Sequence, residues 1–178
     1  MKVSTWAGVA FFLLSSLGAY ADIVLEPHEK LITILATNDI HGGVEPGRSK
    51  DGSPQGGLAY WAGVVHSIRQ GLALKYGSDR SGVLVVDAGD QFQGTLISNY
   101  NEGQLVFAAM NEVGYDAVIP GNHDYDFGPM GWLEDQVTAT TSDQNPRGAL
   151  LRLVNQAAFP LISSNTYLKS SLVDSSGS

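Results

Sequence analysis

LITILATNDIHGG, residues 31–43, runs from seven apolar or β-branched residues straight into a cluster of polar side chains and two glycines. A short apolar run bounded by turn residues predicts a strand, here one buried on both faces as in a parallel sheet. Asp39 and His41 stand two apart just beyond it. On a continuing strand, side chains two apart point the same way. Gly42 and Gly43 then let the backbone turn off without crowding those two groups. The same residues also fit plain turn chemistry, because Asp and Asn accept local backbone hydrogen bonds.

Further along, the pattern repeats. GGVEPGRSKDGSPQGG (42–57) is dense in Gly, Pro and Ser and predicts a loop. In LAYWAGVVHSIRQ (58–70), Leu58, Trp61, Val65 and Ile68 recur at helical spacing. GVLVVDAGD (82–90) predicts a second buried strand that ends in acid. GQLVFAAMNEVG (103–114) predicts a helix stopped by Gly114. DAVIPG (116–121) predicts a third strand, and MGWLEDQV (130–137) and GALLRLVNQA (148–157) predict helices. A fourth strand is expected at Leu161 to Ser163, followed by a small, polar and frayed tail. Strand and helix alternate throughout. This predicts an α/β domain with a mostly parallel sheet covered by helices.

The chain has 178 residues and a formal net charge of −8. Lys2, the apolar WAGVAFFLLSSLG and the closing AYA have the layout of a secretory signal peptide over residues 1–21, cut before Asp22. The apolar part is short for a membrane span of about 20 residues. Residues 22–178 then form one exported domain with no stable membrane span. The acidic balance argues against a nucleic-acid polymer as partner, since such binding depends on Lys and Arg. With no cysteine there is neither a disulfide nor a thiolate metal site. A metal would be held by His, Asp, Glu or Asn, ligands that suit zinc, manganese or similar divalent ions.

Three polar clusters follow three strands: NDIHG after the first, DAGD at the second and GNHDYD after the third. In open α/β sheets, ligands bind in the crevice beyond the carboxyl ends of the strands. That topology would bring all three clusters to one edge. Each cluster alone also fits a structural role: a turn at Asp39, a helix cap at Asp90, a Gly-Asn turn at Gly121. His28 and His66 lie outside these clusters and read as surface or packing residues, and Trp61 and Trp132 read as core.

ITILATNDIHG, VLVVDAGDQFQGT and GYDAVIPGNHDYDFG, in that order, resemble the first three motif blocks of the 5'-nucleotidase branch of the calcineurin-like metallophosphoesterases. The resemblance covers roughly Leu31 to Asn165. It implies a metallophosphoesterase-type α/β sandwich holding two divalent metal ions. It implies Asp39 and His41 as ligands of the first metal, Asp90 as the bridge between both, and Asn122 as a ligand of the second. It implies His123 as the catalytic histidine and Asp126 as the acid that orients it, with Asp87 in a supporting place. The expected reaction is hydrolysis of a nucleotide or another small phosphate ester by a water that two cations acidify and share. A neutral carboxamide at Asn122 adds a ligand without adding negative charge beside a phosphate. Asp126 would fix the tautomer of His123 and favour its charged form.

The chain also departs from that pattern. Family members commonly carry Glu where this chain has Asp124, and no His follows His123. The downstream histidines and the C-terminal nucleotide-binding domain of the family are absent, so the resemblance reaches about the first half of the catalytic domain. A weakly active or inactive chain with an uncovered apolar sheet face is therefore expected. Two other readings stay open at this stage. One is a relative acting on a different ester, such as a sulfur-containing conjugate. The other is a catalytically impaired fragment that only binds metal or a partner.

Overall fold

The structure, a computed structural model, describes residues 23–129 and 145–166. The expected signal peptide, the helix at 130–137 with Trp132, and the polar tail lie outside the described residues. In chain order the elements are β1 (Leu31–Thr37), β2 (Gly47–Arg48), β3 (Pro54–Gln55), α1 (Leu58–Tyr76), β4 (Ser81–Asp87), α2 (Leu96–Asn99), α3 (Gln104–Val113), β5 (Ala117–Val118) and α4 (Gly148–Gln156). One turn of 3-10 helix covers His123–Tyr125.

β1, β4 and β5 form a parallel sheet in that order. β1 and β4 pair over their full length, from Leu31 opposite Ser81 to Thr37 opposite Asp87. Between them the chain crosses over through α1, as parallel strands require. The helix runs six residues past its predicted end at Gln70, because LALKY continues with good helix formers. β5 is shorter than DAVIPG suggested, and Pro120 supplies no N–H to extend it. The expected fourth strand is reduced to a single parallel bridge between Val118 and Leu161. The 42–57 loop holds the small β2–β3 hairpin, and α2 appears where no helix was expected.

The core lies on one side of the sheet. Val65 of α1, Val85 of β4, Phe107 and Met110 of α3, and Leu153 of α4 are all buried there. Phe92 stands edge-on to Phe107 at 6.2 Å, and Phe107 is 5.7 Å from Phe159. α3 starts at Gly103 and stops at Gly114, which is left-handed with φ 76°, as its sequence predicted. Arg69 of α1 donates to the Val113 and Gly114 carbonyls at 3.0 and 2.7 Å, so α1 closes the C-terminal end of α3.

The expectation of strands buried on both faces fails. In β1, residues alternate between half-buried and exposed, with Ile32 70% and Ile34 64% exposed. Leu84, Ile119 and Ile162 are exposed as well. Every described helix packed on β4 lies on the other face, so an apolar sequence pattern here marks one covered face and one open one.

Candidate metal centre

The strand ends are tied together beyond the strands themselves. The Asp39 and His41 amides donate to the Gly89 and Asp90 carbonyls, each at 2.9 Å, and the Gly42 amide donates to the Gln91 carbonyl at 2.9 Å. The loop after β1 therefore lies along the loop after β4. This is how two sequence motifs about fifty residues apart come to share one edge.

Asp39 and His41 are not on a continuing strand, as the two-residue spacing suggested. β1 ends at Thr37, and both residues adopt left-handed backbone with φ 52° and 46°. Asp90 does the same with φ 58°. Such conformations cost an L residue on the order of 1–3 kcal/mol and collect at functional sites. Glu102 is the one further non-glycine residue of this kind among the described residues. The turns still aim the side chains together. One donor atom each from Asp39, His41 and Asp90 falls within 4.8 Å of the others. His41 Nε2 is 3.6 Å from Asp39 Oδ1.

The donor set fits a divalent cation. His41 Nδ1 lies 2.9 Å from the Gln93 carbonyl oxygen, which fixes its N–H there and leaves Nε2 free as a ligand atom. Metal-bound histidines are commonly held in this way. Asn38 donates to Asp39 and steadies its carboxylate. Gly42 allows the close approach of the start of α2: a Cβ there would lie 2.4 Å from Ser98 Cβ.

The third cluster joins through Asp90. The His123 amide donates to Asp90 Oδ1 at 2.9 Å. Gly121 passes so close that an added Cβ would stand 2.1 Å from the same oxygen. Asn122, exposed, lies between those two residues. The His123 ring stands edge-on to the His41 ring at 5.3 Å between centroids. Its Nδ1 is 2.6 Å from Asp126 Oδ2. That hydrogen bond holds the His123 pKa above its ordinary value, with the negative charge of Asp126 adding to the effect.

Asp87 lies beneath the cluster. It is buried, and Thr37 Oγ1 donates to its Oδ2 at 2.6 Å. Gln91 Nε2 and the Gly89 amide serve Oδ1 at 2.6 and 2.9 Å. Thr37 also bonds the Tyr115 hydroxyl at 2.7 Å. Burial raises the Asp87 pKa against these bonds. Burial also pushes Asp124 up to about 6. Sequence reasoning missed Gln93, which acts through a backbone carbonyl that no residue type announces. It also missed Gln91 and Tyr115, although both lie inside the quoted motifs. His28 and His66 are exposed and away from the cluster, and His66 pairs with Gln70.

With that geometry in place, known proteins give a consistent comparison. The family model described as Calcineurin-like phosphoesterase matches residues 32–168. A snake venom 5'-nucleotidase from Gloydius brevicauda is 35% identical over 141 residues, covering 79% of this chain and 21% of that protein. A 5'-nucleotidase from Bos taurus is 35% identical over 164 residues, covering 88% of this chain and 24% of that protein. The crystal structure of a 5'-nucleotidase precursor from Thermus thermophilus superposes with a TM-score of 0.55 at 28% identity, over 75% of this chain and 22% of that one. The chain thus spans between a fifth and a quarter of these relatives.

Proposed function

The chain belongs to the calcineurin-like phosphoesterase family, and from that premise we propose that it is the metal-binding part of an exported, metal-dependent phosphoesterase of 5'-nucleotidase type. The observation that carries this reading is the meeting of Asp39, His41 and Asp90 from two loops, with the His123 ring 5.3 Å from that of His41. The 5'-nucleotidase relatives support a nucleotide or a similar small phosphate ester as substrate.

In this reading Asp39, His41 and Asp90 hold one divalent ion, zinc, manganese or similar, and Asp90 with Asn122 contributes to a second. Bound ions of this kind supply neutralising charge for a phosphoryl group and a water acidified toward neutral pH. The chain's own groups set the rest. Gln93 keeps His41 in one tautomer, and Asp90 keeps the His123 loop against the centre. His123, whose hydrogen bond to Asp126 favours its charged form, would offer a proton to a leaving oxygen. Residues 1–21 serve as the export signal, and among the described residues no helix is long and apolar enough to cross a membrane.

The described ligands are few for two ions, so slow turnover by this chain alone is part of the proposal. The experiment is hydrolysis of AMP, a 2',3'-cyclic nucleotide and a thiosulfate ester by the chain with Mn2+ or Zn2+. Expected are slow, EDTA-sensitive release of phosphate from a nucleotide and its loss in His123→Ala. Preference for the thiosulfate ester, or turnover indifferent to EDTA, would overturn it. The paucity of ligands also favours a second reading, a piece that binds metal and turns nothing over. Tight metal uptake by calorimetry with no hydrolysis of any ester would select that one.

A further inference from the structure

Asp124 follows His123 and is not a metal ligand in the reading above, yet it is 1% exposed. Its Oδ2 accepts from the Asp90 amide at 3.0 Å and the Gly121 amide at 2.8 Å. Its Oδ1 accepts from the Gln91 amide at 2.9 Å and the Phe92 amide at 3.4 Å. One carboxylate therefore collects four main-chain N–H groups from the loops after two different strands.

The bonds run both ways. Asp124 takes the amide of Asp90, and Asp90 Oδ1 takes the amide of His123 at 2.9 Å. Together they close a ring between residues 90 and 121–124. Asp90 sits in that ring with left-handed backbone, φ 58°, which is uncommon for a residue other than glycine although Asp adopts it more readily than most. The ring turns one carboxylate oxygen of Asp90 toward His123 and leaves the other for a ligand. A carboxamide at position 124 would keep one acceptor atom and turn a donor toward N–H groups that then lack partners.

We propose that Asp124 is a positioning residue for the metal centre: its buried carboxylate holds Asp90 in its strained backbone and locks the Asp90 loop to the Asn122–His123 loop. This deepens the metal-centre reading and rests on it. It predicts that position 124 governs metal affinity beyond any general effect on stability.

The experiment is calorimetric titration of Mn2+ into the full chain, the wild type beside Asp124→Asn, Asp124→Glu and Glu102→Gln. Thermal unfolding without metal and the electron paramagnetic resonance of bound Mn2+ are recorded for each. Glu102 is equally buried and pairs with Arg152 at 2.6 Å, so it serves as the control for a lost buried bond outside the centre. Asp124→Asn is expected to weaken Mn2+ binding about 10–100-fold, the usual scale for losing an outer partner of a ligand, and to alter the line shape. Asp124→Glu keeps the carboxylate acceptors, as Glu does at this place in the family pattern, and is expected to stay within a few-fold of the wild-type affinity. Glu102→Gln lowers the melting temperature while leaving affinity and line shape alone. Wild-type affinity in Asp124→Asn, or an equal loss in Glu102→Gln, overturns the proposal. If Asp124→Asn does not fold, Asp124→Ser, which keeps one acceptor in a smaller side chain, is titrated instead: weaker binding with an altered line shape supports the role, and wild-type affinity overturns it. A wild-type chain that binds Mn2+ but hydrolyses no ester overturns the proposed reaction and leaves this role standing. One that binds no Mn2+ overturns both.

Discussion

Tyr115 is the residue on which the floor of the centre leans. It is 5% exposed, its hydroxyl bonds Thr37, and burial pushes its pKa up to about 12. A phenol whose folded pKa lies above its ordinary value of about 10 stabilises the native state below pH 10. That stability is lost as pH rises from 10 through 12, because only the unfolded chain ionises early. Ultraviolet difference titration should find one tyrosine that ionises last, together with unfolding. Tyr115→Phe should remove that late step and cost about 1 kcal/mol at neutral pH for the Thr37 bond. A titration in which all tyrosines ionise with the fold intact would contradict this. His123 has the opposite chemistry and the same sign. Its raised pKa means that pairing with Asp126 favours the native state at pH values below the ordinary histidine pKa. This is lost as pH rises through the folded value. In the metal-free chain, the NMR titration midpoint of His123 should therefore fall in Asp126→Asn. An unmoved midpoint would show that the pair does not hold the proton.

Elements show most plainly what a sequence can announce. β1 and β4 were legible as short apolar runs bounded by turn residues, α1 by its helical spacing, α3 by its Gly114 stop, and α4 by its helical look alone. The polar clusters follow strand ends, so a meeting of Asp39, His41 and Asp90 with His123 beside them could be expected from position, and the structure brings these side chains together; their roles are implied only by the family resemblance. What could not be read depends on neighbours. β5 is two residues long because pairing, not propensity, sets its ends. The left-handed turns at Asp39 and His41 arise from bonds to the loop after β4, and no side chain in NDIHG encodes those bonds. The apolar pattern of β1 does not record what covers each face; the open face was expected only from the extent of the family resemblance, and Ile32 and Ile34 are exposed on it. Packing between elements gives a test with a magnitude. Phe107 is fully buried on α3, between Phe92 and Phe159. Phe107→Ala should cost about 3–5 kcal/mol in denaturant unfolding. A loss under about 1 kcal/mol would mean that α3 and its neighbours are not packed as described.

For the molecule as a whole, two surface properties oppose each other. A formal net charge of −8 keeps copies apart. Ile32, Ile34, Leu84, Ile119 and Ile162 expose apolar surface on the open side of the sheet. Covering five such residues at about 1.5 kcal/mol each is worth roughly 7 kcal/mol, within the ~4–15 kcal/mol that association costs. The balance is therefore close, and charge decides it. Screening falls to about 10 Å at 0.1 M salt, so added salt removes the repulsion and leaves the apolar gain. Sedimentation velocity should show weak, concentration-dependent association of the chain that strengthens as salt is raised. The double variant Ile32→Thr with Ile34→Thr should abolish it. Both residues already face solvent and Thr suits a strand, so its unfolding free energy should stay within about 0.5 kcal/mol per site of the wild type. A chain that remains monomeric at every salt concentration would show that the open face is covered in solution. Large destabilisation by the double variant would show the same, because only buried isoleucines lose that much.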